Sequence, residues 1–197
     1  MSKSAPSSAK KERKKNITWV ITIFLVTIFV SGLITFLSDI LMDVSTMAIA
    51  FLILLVIVMV GIVFDIIGMA VATADEKPFH SMAARRVPGA QESIRLLRNA
   101  ERVSSICNDV VGDICGVVSG TASAAIAAQV LAKLENFAWP QLIVLAMSAL
   151  AAGLTVGGKA IGKTYAVKSC TTIVHSVGKL IWALTHIPQR WKRKKKS

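Results

Sequence analysis

At 197 residues, 54% of them hydrophobic and with a mean hydropathy of +0.62, the chain is too apolar for a soluble domain of ordinary composition. The apolar residues gather in runs of about twenty, the length needed to cross a bilayer, which marks an integral membrane protein. The formal charge of +12 sits almost wholly in two tails, residues 1–16 carrying +5 and residues 189–197 carrying +6. Basic tails beside membrane helices fix topology and touch anionic lipid headgroups, so lipid and not nucleic acid is the expected partner.

Residues 1–16 are polar, basic and rich in small residues, and are expected to form a disordered cytoplasmic tail. Ile17–Leu37 is a first, extra span. It is long for a signal peptide and lacks a small-x-small cleavage site after it, so it reads as an uncleaved anchor. Residues 38–45 contain Asp39 and Asp43 without Lys or Arg, as suits an external loop. Residues 46–74 form the second span, with Asp65 inside it. Residues 75–102 are polar and basic. Pro88-Gly89 breaks this stretch, and residues 90–102 read as a short cytoplasmic connector helix with Ile94 and Leu97 on one side.

Residues 103–134 are the third span, and a short connection carrying Trp139 as an interfacial anchor leads to the fourth, residues 141–160. Residues 164–187 contain Lys168, His175, Lys179 and His186; a fifth crossing would put the basic tail 188–197 outside, so a helix lying in the inner interface is expected. The fold class is therefore all-α: four transmembrane helices, a connector helix and a C-terminal interfacial helix, in the cell membrane with both termini cytoplasmic. Cys107, Cys115 and Cys170 show no metal-ligand spacing and read as reduced packing residues. His80, His175 and His186 read as interfacial or solvated. No nucleophile–base pair, phosphate-binding loop, haem motif or iron–sulfur motif is recognisable, so no enzyme is expected.

Residues 108–128 concentrate the remaining information. Gly112, Gly116, Gly120, Ala124 and Ala128 recur every fourth residue, a ribbon of nearly bare helix backbone; Ala149, Gly153 and Gly157 form a second ribbon. Both are expected to be packing surfaces within the subunit, with a homodimer face as the alternative. Asn108, Asp109 and Asp113 stand beside the first ribbon, and carboxylates at membrane depth are expensive and rarely idle. A rise of about 1.5 Å per residue places Asp65 roughly 15 Å from Asp75, Asp113 roughly 16 Å from Arg102, and Lys159 roughly 13 Å from Lys168. Asp109 is one turn shallower than Asp113. These groups on three consecutive helices thus fall at similar depth.

Two readings follow. In one, Asp65, Asn108, Asp109 and Asp113 line a cavity that binds a cation, with Lys159 as counter-charge when the ion is absent. Such hard oxygen ligands suit Mg2+, Na+ or a proton relay and not zinc or copper. In the other, the cluster is a buried salt-bridge network that fixes helix register in a non-transporting regulator or scaffold. No cofactor beyond such a bound or transported ion is expected.

The order of segments across residues 46–187 resembles the transmembrane domain of the cyclin-M (CNNM) and CorB/CorC magnesium transporter family. The stretch Ala90-Gln-Glu-Ser-Ile-Arg-Leu-Leu-Arg-Asn-Ala-Glu-Arg102 is similar to that family's connector, and Cys107-Asn108 with Gly112 is similar to its Gly-Asn-x-x-x-Asn. Gly158-Lys159-Ala160-Ile161-Gly162-Lys163-Thr164 is similar to its Gly-Glu-x-x-Pro-Lys-Thr, with Lys159 in place of the acid and Gly162 in place of the proline. The family's Ser-x-Ser-Glu-x-Ala-Leu falls on residues 65–71. No regulatory CBS domain follows. The resemblance implies metal binding and transport, with Asp65 and Asn108 inheriting the family's ligand positions; the acidic cluster adds Asp113 to the expected metal ligands.

Overall fold

Seven helices run through the described residues of the computed structural model, which are 6–43, 46–134 and 139–194. They are α1 (Pro6–Asp43), α2 (Met47–Thr73), α3 (Lys77–Ala84), α4 (Ala90–Arg98), α5 (Ala100–Lys133), α6 (Pro140–Lys168) and α7 (Cys170–Lys194). Within α5, residues Ile106–Gly112 form a π-helical segment. Among the described residues there is no strand, and four helices are long and apolar enough to cross a membrane: Ile17–Leu37 within α1, then α2, α5 and α6. The fold is all-α.

The bundle is centred on α2, which packs against α5, α6 and the start of α7. Its buried positions Leu54, Val58, Gly61, Asp65 and Gly68 alternate in steps of four and three, the spacing of a helix face seated against neighbours. At one end, Ala50, Leu54 and Val58 of α2 close with Ala122 and Ile126 of α5. At the other, which carries Arg102 and Lys168 and is called here the basic end, Ala70 and Val71 gather Phe79, Leu97, Ala166 and Val174 from four further helices. Helix α1 lies on the outside, where Ile23, Val30 and Ile34 meet Val110, Ile114 and Val118 of α5. Trp19 takes the Arg102 guanidinium over its ring at 5.1 Å, so α1 is held at the basic end by a cation–π contact.

Four boundaries differ from the expectation. Helix α1 begins at Pro6, so residues 6–16 are helical and not irregular. Proline is well suited to a first helical position, and Lys10–Lys15 are straight-chain helix formers extending a helix already nucleated by the apolar run. At its other end α1 continues to Asp43, absorbing most of the expected loop. Residues 1–5, 44–45, 135–138 and 195–197 lie outside the described residues. Helix α3 was not expected, and the connector 90–102 divides at Asn99, whose amide donates to the Arg95 carbonyl at 2.9 Å. Finally, α6 runs on through Thr164 to Lys168, because Gly162 and Ala166 pack against α2 and the basic-end core. The last helix therefore starts at Cys170. Trp139 precedes α6 and is 64% exposed.

The third and fourth crossings join the layer at the basic end with almost no slack. Asn99 (φ −116°, ψ 27°) alone separates α4 from α5, and Ser169 (φ −117°, ψ 21°) alone separates α6 from α7. Helices α4 and α7 then pack on each other, Gly178 lying against Gly89 and Ser93. Ser93 Oγ completes that contact by donating to the carbonyls of Gly89 and Val174 at 2.9 and 3.2 Å.

Candidate ion site between α2, α5 and α6

Asp65 is 4% exposed, on the α2 face turned to α5 and α6. A carboxylate in this setting demands partners, because an unpaired buried charge costs several kcal/mol. Its nearest cation is Lys163 of α6, whose Nζ stands 4.0 Å from Oδ2, too long for a hydrogen bond. Asp65 Oδ2 has no hydrogen-bond partner. Lys159, one turn earlier on α6, donates from Nζ to the Gly112 carbonyl at 3.3 Å. A Cβ at residue 112 would lie 3.4 Å from Lys159 Nζ and 3.9 Å from Asp65 Oδ1, ordinary contact distances, so both groups face the Gly112 backbone.

One turn along the same α2 face, Gly68 takes Asn108 of the π segment against its backbone. Asn108 Nδ2 donates to Ser104 Oγ at 3.3 Å, while Asn108 Oδ1 is buried without a donor. The π segment itself matters here. Its bonds run to the fifth residue and not the fourth, which widens the turn and re-aims the side chains and carbonyls on it. The junction therefore presents two unsatisfied buried acceptors, Asp65 Oδ2 and Asn108 Oδ1, with two ammonium groups close by. Chemically it can accept a donor or a small cation, and it holds more positive than negative charge of its own.

Asp65 and Lys159 are thus brought together at Gly112, as the depth comparison expected, with Asn108 one turn along the same face. Asp109 and Asp113 are not. Both are exposed on the opposite side of α5, and Asp109 accepts from Ser105 Oγ at 2.8 Å. The physical reason is azimuth: counting residues gives height along a helix but not the direction a side chain faces. The α5 residues on the α2 side are Asn108, Gly112, Cys115, Ser119, Ala122 and Ile126, again in steps of four and three. Among the described residues no three of His, Cys, Asp and Glu are grouped so as to hold a metal ion.

The same geometry corrects the glycine ribbons. Gly112 is buried at the site, but Gly116, Gly120, Gly153 and Gly157 have no atom within 4 Å of a built Cβ. A strict step of four on a 3.6-residue helix winds steadily away from any one neighbour. The close approaches are made elsewhere, by Gly61 against Cys115, Gly68 against Asn108, and Gly158 and Gly162 against Ile62 and Ile66. These glycines and Lys163 were missed. Their signal was the heptad-like spacing of Gly61, Asp65 and Gly68 on α2, matched by Gly158 and Gly162 one turn apart on α6.

Together these features define an all-helical protein with four membrane-length apolar helices and a polar junction buried among three of them. No known family, curated protein or solved structure matches the chain.

Proposed function

We propose that the protein binds a cation at Asp65 and Asn108 and carries it across the cell membrane, with the basic end on the cytoplasmic side. The observation that carries this reading is the pair of buried acceptors left without donors, Asp65 Oδ2 on α2 and Asn108 Oδ1 on the π segment of α5. Unsatisfied groups at such depth are costly, and their retention beside a broken helical ladder suits a ligand that completes them. The charge balance narrows the ion. A single carboxylate balances one positive charge once the lysines move away, so Na+ or a proton is preferred over Mg2+, which enters through the family resemblance alone.

In the mechanism, Lys159 and Lys163 act as tethered cations. With the site vacant they neutralise Asp65; an arriving ion displaces Lys163, which is half exposed and held at only 4.0 Å, before the bundle opens to the other side. A second reading is supported by the Lys159 hydrogen bond to Gly112: a fixed network that sets the register of α2, α5 and α6 in a non-transporting regulator or scaffold.

Flux into proteoliposomes, measured with Na+, K+, Mg2+ and a proton-sensitive dye, separates the two. On the transport reading the wild type gives saturable flux of one ion, Asp65→Asn abolishes it without unfolding the protein, and Asp113→Asn retains it. Absence of flux for every ion, with Asp65→Asn strongly destabilising, establishes the network instead.

A further inference from the structure

At the basic end a cavity of about 230 Å³ opens between the α3–α4 connection and the second half of α7. Its polar wall consists of Arg86, Gln91, Glu92, Trp182 and His186, around the turn at Gly89. It is far along the chain from the α2–α5–α6 junction and uses none of its residues.

Arg86 is the informative residue. Helix α3 ends in a Schellman turn, the Val87 amide donating to the Met82 carbonyl at 3.0 Å and the Arg86 amide to Ala83 at 2.9 Å. That turn needs a left-handed residue, and Arg86 adopts φ 56°, the only non-glycine to do so among the described residues. Glycine fills this position most cheaply, since any Cβ there is strained. An arginine in its place points to a use for the side chain, yet Arg86 makes no ion pair among the described residues.

The facing wall is equally fixed. The His186 ring stacks on Trp182 at 4.6 Å, and its Nδ1 donates to the Trp182 carbonyl at 2.9 Å, which leaves Nε2 as the available ring nitrogen. Glu92 supplies a carboxylate without an ion-pair partner among the described residues. One guanidinium, one imidazole and one carboxylate around one cavity complement a phosphate that carries an ammonium nearby. Leu180 and Leu184 stand 61% exposed on the same helix, apolar surface of the kind that lies among acyl chains.

We propose that this cavity binds the phosphate–ammonium headgroup of a membrane phospholipid, with the phosphate at Arg86 and the ammonium at Glu92 and the His186 Nε2 acceptor. Lipid binding thereby seats α7 in the interface through a specific contact in addition to the diffuse attraction of the basic tails. Because the headgroup is zwitterionic, the tails contribute little to it, and the two effects are separable.

The test uses the full chain in detergent, titrated with phosphatidylethanolamine, phosphatidylglycerol and soluble phosphoethanolamine, with bound lipid counted by native mass spectrometry. Wild type retains phosphatidylethanolamine more tightly than the other two. Arg86→Gly weakens it about tenfold, the loss of one charge-assisted phosphate contact. Its unfolding temperature is the same or higher, because glycine relieves the left-handed strain. Glu92→Gln removes the preference for phosphatidylethanolamine over phosphatidylglycerol. The proposal is overturned if Arg86→Gly binds within twofold of wild type, or if it unfolds earlier and so reveals a structural role. Soluble phosphoethanolamine binding as tightly as the lipid overturns the lipid source.

Discussion

Replacing Gly68 by alanine tests the α2–α5 contact at its closest point. The added methyl would lie 2.8 Å from Asn108 Cγ and 3.0 Å from Cys107 Cβ, and in direct collision with the Asn108 amide oxygen. The amide can rotate away, but Cys107 Cβ is fixed to the π segment and moves only with it. Forced overpacking of this kind costs about 1–3 kcal/mol, and the better helix propensity of alanine returns about 1 kcal/mol. The net expectation is a loss of up to about 2 kcal/mol, read as the midpoint shift of reversible unfolding in mixed detergent micelles. Gly116→Ala and Gly120→Ala are the controls: nothing lies within 4 Å of either, so propensity alone acts and each gains about 0.5–1 kcal/mol. Combining Gly68→Ala with Asn108→Ala removes the colliding amide, and the double mutant recovers about 1 kcal/mol relative to the sum of the singles. If Gly68→Ala proves as stable as Gly116→Ala, Asn108 does not seat on α2 as described.

Three further outcomes are expected. Lys159→Met deletes the 3.3 Å hydrogen bond to Gly112 and lowers stability by about 1 kcal/mol in the same unfolding measurement. Gly178→Ala drives a methyl to 2.6 Å from the Gly89 carbonyl and 3.0 Å from the Ser93 amide, both backbone atoms. That separates α4 from α7 at a cost of about 2–3 kcal/mol, visible as faster amide hydrogen exchange in α4 while the spans stay protected. Trp19→Ala removes the cation–π contact to Arg102, about 0.5–1 kcal/mol, and raises proteolytic release of α1 without altering ion flux.

Hydropathy made the four crossings legible in the sequence, since each apolar run is long and bounded by charge. Height also translated well. Counting residues from the basic end placed Asp65, Asp113 and Lys159 on one level, and Asp65 and Lys159 do meet at Gly112. Direction did not translate. Asp109 and Asp113 have about the right height and the wrong face: counting residues does not give azimuth, and the π segment that contains Asp109 and precedes Asp113 is announced by no local residue type. The regular spacing of Gly116, Gly120 and Ala124 was misleading for a related reason. Packing against a neighbour follows alternating steps of three and four, which Gly61, Asp65 and Gly68 obey and the ribbon does not. The break at Asn99 and the short α3 escaped notice because neither depends on a local glycine or a long apolar run; Asn99 is held by its own side chain.

The single-residue joints at Asn99 and Ser169 have a mechanical consequence. Helices α4, α5, α6 and α7 form a closed chain of four rods, since α4 and α7 are packed together while α5 and α6 meet across the bundle. Two of the corners are single residues with nearly the same backbone angles, and a third is a glycine-on-serine contact that permits no spacer. In such a linkage no rod turns alone. A rotation of α6 that withdraws Lys159 and Lys163 from Asp65 must tilt α7, and whatever restrains α7 resists that rotation with the same leverage.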